Sequence, residues 1–157
     1  MIDASQFREY IVRPALQYME MHSEAAENLI MGTAAQESHL TYIHQLDGGP
    51  ALGFFQMEPR THDDIWVSYI AYRAPIRDRL NSMLPPGTTD DNRQLALMSN
   101  LFYATAMCRV HYRRVPASLP DADDIQGMAE YWKQYYNTPL GKGTVEEFVN
   151  NYEKVAP

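Results

Sequence analysis

Cysteine is nearly absent from this chain, with Cys108 the only one among 157 residues. That excludes an intramolecular disulfide and a zinc cage built on several thiolates. Positive charge is also scarce: 13 Lys+Arg stand against 20 Asp+Glu, a formal net charge of −7. A general nucleic-acid binder needs a cationic surface to displace counterions, so the balance argues against that class. It also supplies no long-range attraction to an anionic polymer. No run reaches the roughly 18 apolar residues of a membrane span, so none is expected. Met1 to Glu9 lacks the basic start and apolar stretch of a secretory signal. Synthesis in a cytoplasm is therefore the expectation, in keeping with a lone thiol. Internal repeats, low-complexity tracts, a Gly-rich phosphate loop, a G-x-S-x-G elbow and an HExxH pair are all missing. The histidines at 22, 39, 44, 62 and 111 show no ligand spacing. Neither a metal nor a cofactor is expected.

What remains is globular. Apolar residues make up 45% and charged residues 21%, which is the composition of a chain that buries a core. The length suits one domain over residues 1–157, burying roughly two thirds of the unfolded surface. Asp47-Gly48-Gly49-Pro50, Leu84 to Thr89 and Val115 to Asp121 read as loops within it. Between them the apolar spacing is helical. A helix is predicted from Gln6 to near Met21, with Pro14 as a kink. A second runs from an N-cap at Ser23 to near Leu40. Thr61 to Asp64 reads as a capping-box variant opening a helix through Trp66 and Ile70. A long helix is predicted from Asp90 to Arg114, with Leu95, Met98, Phe102, Thr105, Cys108 and Tyr112 on one buried stripe. The cluster His111 to Arg114 reads as cations offsetting its C-terminal dipole. Another helix covers Ile125 to Tyr136, and Thr144 to Glu147 is a full capping box before a last one. Strand character is confined to Leu52 to Met57. The fold class is mainly α, with a small β-hairpin region.

One carboxylate stands out. Ala26, Ile30, Thr33 and Glu37 advance by helical steps, so Glu37 continues an apolar stripe instead of lying on a wet face. It falls in the last turn of its helix, where the negative dipole end disfavours a second negative charge. A partly apolar site pushes its pKa the same way. A carboxyl that stays protonated near neutrality is what a general acid for glycosidic cleavage requires.

The residues around it form a pattern. Ala35-Gln36-Glu37-Ser38 is followed, after a Gly-rich loop, by Gly53-Phe54-Phe55-Gln56-Met57-Glu58-Pro59-Arg60-Thr61. This resembles the lytic transglycosylases of the lysozyme-like superfamily, in which Glu-Ser ends a helix and G-x-x-Q-x-x-P-x-T follows. Gly53, Gln56, Pro59 and Thr61 occupy every position of that second motif, although Phe54-Phe55 replaces the customary Leu-Met. A third motif, Ala-Tyr-Asn-Ala-Gly, is half present as Tyr136-Asn137 followed by Thr138-Pro139.

The resemblance implies a lysozyme-like α fold with a groove beside the small hairpin region, and peptidoglycan glycan strands as the substrate. It implies Glu37 as sole catalytic acid and base at the bond between N-acetylmuramic acid and N-acetylglucosamine. The muramic 6-hydroxyl would close on C1 to give a 1,6-anhydro end. Ser38 would orient the carboxyl or the groove wall, or be merely a polar residue at a helix end. Gly53 would let backbone approach the sugar, or serve a turn. Gln56 would offer donor and acceptor groups to sugar substituents, and Tyr136 would bond Glu37 or an N-acetyl group. Phe55 and Tyr42 are the candidates for lining the groove. Asp47, the nearest carboxylate for a hydrolytic route, reads first as part of a tight turn. Taken with the missing signal, the resemblance suggests a bacteriophage virion or tail enzyme that opens the periplasmic cell wall for genome delivery, with other virion or tail proteins as partners. The rival expectation is a lysozyme-like virion or tail component that binds glycan and cleaves little.

Overall fold

The computed structural model describes residues 1–157 and is mainly helical. The chain opens with an interrupted helix. Asp3 caps α1 (Ala4–Phe7) by accepting the Gln6 amide at 3.0 Å, and a wide π turn over Arg8–Val12 leads into α2 (Arg13–Tyr18). Pro14 explains the wide turn. Its ring crowds the carbonyl one turn back and it has no N–H to donate, and the π geometry relieves both. Ser23 then caps α3 (Glu24–Ser38), its hydroxyl accepting the Ala26 amide. Every residue from Ala26 to Ala35 is buried, so α3 is the central rod of the fold.

The middle of the chain departs from expectation at several points. α4 (Pro59–Ser68) begins two residues before Thr61 because Pro59 takes its first turn, where the missing N–H costs nothing; Thr61 caps nothing. α5 (Ala74–Ser82), also led by a proline in its first turn, was not expected. The long helix from Asp90 is broken into a short 3-10 turn at Arg93–Leu95, α6 (Ala96–Ser99) and α7 (Leu101–Arg113). The break is Asn100, which takes extended backbone and caps α7 by accepting the Tyr103 amide at 3.0 Å. Its side-chain amide also donates to the Met83 carbonyl at 2.9 Å. Leu95, upstream of the break, is exposed instead of joining the stripe, whereas Thr105, Cys108 and Tyr112 are buried.

The expected β-hairpin does not form. Residues 44–57 hold only two isolated antiparallel bridges, His44 with Leu52 and Leu52 with Met57. Leu52 and Met57 exchange backbone hydrogen bonds at 3.0 and 3.1 Å. The chain between them must turn back at once, with Gly53 and Gln56 both at positive φ. A segment curled this tightly has no length left for a strand.

Two helices close the fold: α8 (Ile125–Trp132), extended by a π turn over Lys133–Asn137, and α9 (Val145–Glu153). Thr144 and Glu147 form the expected capping box. α9 lies close against α3 because Gly32 has no side chain; a Cβ there would run into the Phe148 ring. One contiguous apolar cluster runs from Phe7 to Val155. No helix is long and apolar enough to cross a membrane.

A buried ionic knot ties the chain ends to α3. Glu27 accepts from Arg8 at 3.1 Å, from Arg13 at 2.9 and 3.0 Å, and pairs with His22 at 2.9 Å. Arg8 also bonds Asn28 at 2.8 Å and reaches the Val155 carbonyl at 3.5 Å. Burial pushes the Glu27 carboxyl up, but the hydrogen bonds from Arg13, His22 and Arg8 outweigh it and hold the group down at about 2. A carboxyl depressed on folding stabilises above its unfolded value of 4.5 and loses that contribution as pH falls toward 2. Removing the acceptor strands the buried Arg8 charge. Glu27→Ala should therefore cost about 3–5 kcal/mol by urea denaturation at neutral pH, with the deficit shrinking on acidification.

Candidate functional site

α3 ends abruptly. His39 and Leu40 both take left-handed backbone at φ 52, turning the chain away immediately after Glu37 and Ser38. The turn opens a groove of about 830 Å³ between the C-terminal end of α3, the curled 39–61 segment, the last turn of α7 and the 136–142 loop. Glu37 lines it and is half-buried.

The Glu37 carboxyl meets an unusual partner. The indole N–H of Trp132 donates to its Oε1 at 2.8 Å. Trp132 is fully buried, with its ring 5.4 Å from that of Phe148, so the donor is held rigidly. Burial raises the carboxyl pKa to about 7, and the indole hydrogen bond only partly opposes the shift. Glu37 forms no ion pair within 4.0 Å. A carboxyl so placed stays protonated well into the neutral range and can hand its proton to a group in the groove.

The other residues singled out from the sequence divide into two sets. Tyr42, Gln56 and Tyr136 line the same groove as Glu37. Ser38, Gly53 and Phe55 do not. Ser38 is fully buried and its hydroxyl donates back to the Ala34 carbonyl at 3.1 Å, which satisfies the last turn of α3. Gly53 is required for packing: at φ +75, a Cβ would strike the Leu97 carbonyl. Phe55 is buried in the core, its ring 6.4 Å from that of Phe7.

Two of the groove residues also brace it. The Tyr136 hydroxyl donates to the Phe55 carbonyl at 2.6 Å and not to Glu37, stitching the C-terminal wall to the curled segment. The Gln56 amide donates to the Gly53 carbonyl at 2.8 Å, leaving its oxygen without a protein partner. Asp47 occupies the tight turn expected of it, at φ 63, and lines the groove as well.

Sequence reasoning missed Trp132, Glu58, His111 and Lys142, and reached Asn137 only as part of the half-present third motif. His111 is not one of the cations at the end of α7. Burial and the neighbouring charge of Arg114 lower its pKa to about 4, so it is neutral. Its Nε2–H donates to the Tyr135 carbonyl at 3.1 Å, and its ring sits edge-on to Tyr136 with centroids 4.7 Å apart. No local signal marks Trp132, which meets Glu37 from 95 residues away. Nowhere in the chain do three or more His, Cys, Asp or Glu side chains gather as a set that could hold a metal ion. Compared with known protein families, curated proteins and solved structures, the chain matches none.

The raised carboxyl has a thermodynamic signature. Between its ordinary value of 4.5 and about 7 the folded protein binds more protons at Glu37 than the unfolded chain, so stability falls as pH rises through that window. Glutamine keeps the oxygen that accepts from Trp132 and does not titrate. Glu37→Gln should match wild type at about pH 4 and exceed it by about 1–3 kcal/mol at about pH 8, measured by urea denaturation.

Proposed function

We propose that this groove cleaves peptidoglycan glycan strands by lytic transglycosylation, with Glu37 as the single acid and base, on a scaffold of the lysozyme-like type. The observation that carries the reading is the Glu37 carboxyl itself: raised to about 7, held by one indole N–H, and facing an open groove. The resemblance of Glu37-Ser38 and of Gly53 to Thr61 to transglycosylase motifs supports it. So does the presence of Gln56, Thr61, Tyr136 and Tyr42 on the groove that Glu37 lines.

The chemistry follows from one proton moving twice. Protonated Glu37 donates to the oxygen bridging muramic acid C1 to the next sugar; the C1–O bond breaks and positive charge develops at C1. The resulting Glu37 carboxylate then removes the proton from the muramic 6-hydroxyl, whose oxygen attacks C1. A 1,6-anhydro ring closes, and Glu37 is protonated again. Water is not consumed, and a second carboxylate is not required, in contrast to most glycosidases. Trp132 suits both halves, because its N–H steadies the carboxylate during the interval without supplying a full charge that would keep the group ionised at rest. The apolar face of Tyr42 and the free amide oxygen of Gln56 offer a sugar a stacking surface and an acceptor.

A hydrolytic outcome is the second reading, favoured by Asp47 and Glu58, both of which line the groove. The products separate the two. Purified sacculi treated with the protein should release fragments with anhydro ends, about 18 Da lighter than hydrolytic products because no water is added. Reducing ends would make the protein a hydrolase and turn attention to Asp47 and Glu58. Glu37→Gln should lose at least about 100-fold in clearing rate. Wild-type clearing should fall as pH rises through about 7, as the acid is lost. Saturable binding to sacculi with no released fragments would instead identify a glycan-binding component.

A further inference from the structure

One wall of the groove is the end of the π turn and the irregular loop that follows it, and four of the groove-lining residues, Asn137, Thr138, Gly141 and Lys142, come from it. Besides one backbone bond from the Gly141 amide to the Thr138 carbonyl, a single ammonium ties it together. Lys133 Nζ donates to Asn137 Oδ1 at 2.8 Å and to the carbonyls of Gly141 and Gly143 at 2.7 Å each. A lysine has three N–H bonds to give, and all three go to this loop. The loop is drawn in until no spare room remains. A Cβ at Gly141 would collide with the Asn137 side-chain oxygen, and one at Gly143 would lie 2.6 Å from the Trp132 ring. Trp132 is thereby enclosed between this loop and Phe148, and its N–H points at Glu37.

We infer that Lys133 is a positioning residue for the Glu37 site, its ammonium drawing the 137–143 wall against Trp132 and so fixing the indole on the carboxyl. As a role in catalysis this rests on the function proposed above; as a statement about Trp132 it does not. Losing the ammonium frees three acceptors at once. The wall then relaxes toward solvent, the indole gains room to turn, and the acid loses its fixed orientation.

The chain has two tryptophans, and the second is a built-in control: Trp66 donates to the Tyr103 hydroxyl at 2.9 Å, in a different hydrogen-bond network. Indole proton exchange in the 15N-labelled full chain, with signals assigned through Trp132→Phe, reads both. In Lys133→Met, which keeps the stem and removes the charge, Trp132 exchange should accelerate about tenfold or more while Trp66 stays within about twofold of wild type. Gly143→Ala reaches the same indole from the backbone side and should give the same selective effect. On sacculi, Lys133→Met should lower kcat by about tenfold with KM little changed. Unchanged Trp132 exchange in both variants would overturn the inference. Equal loss of protection at both indoles would also overturn it, because the ammonium would then be holding the whole fold. If wild type does not cleave sacculi but Trp132 responds selectively, the cleavage reading fails while the positioning of Trp132 stands.

Discussion

The groove depends on a neutral carboxyl placed where a charged one would be costly. Glu37 sits at the end of the most buried helix in the protein and has one fixed hydrogen-bond donor, Trp132, which carries no charge. Had an arginine stood in place of that indole, the carboxyl would ionise and hold no proton to donate at neutral pH. Glu27, on the same helix, shows the opposite case. Three basic side chains surround it and it is held at about 2. Two glutamates ten residues apart on α3 are thus driven in opposite directions: basic partners outweigh burial at Glu27, whereas at Glu37 burial wins over the single indole hydrogen bond.

The rest of the architecture can be read as support for that placement. The Ser23 cap and the Glu27 knot fix the start of α3; the left-handed pair His39 and Leu40 fixes its end. Gly32 lets α9 come close enough for Phe148 to stand behind Trp132. Tyr136 joins the C-terminal wall to the curled segment through the Phe55 carbonyl. The cap and the left-handed pair are local, but the approach of Phe148 to Gly32 and the bond from Tyr136 to Phe55 span long stretches of sequence, so the groove forms only when the whole chain has folded.

The difference between local and long-range contacts decides what the sequence makes legible. Helix starts at Ser23 and Thr144 are written in a few adjacent residues and are legible there, because caps are local chemistry. Asn100 is not, since a cap inside an apolar-periodic stretch is hidden by the periodicity around it. Leu52 to Met57 has the composition of a strand but folds as a tight curl around Gly53, whose need to clear Leu97 is invisible in sequence. Glu37 was legible from its stripe and its position at a helix end. Trp132 and His111 were not, because what matters about each is a partner reached only through tertiary packing. Ser38 and Phe55 sit beside site residues in the chain yet face the core: one helical step turns Ser38 by about 100° from Glu37, and the tight curl turns Phe55 inward from Gln56.

The most direct test is the titration of one atom pair. With glutamate carboxyls 13C-labelled and Glu37 assigned through Glu37→Gln, the carbon shift followed against pH should show Glu37 titrating near 7. A midpoint at its ordinary 4.5 would mean that the carboxyl is ionised at neutral pH and would contradict the account of it as a resting acid.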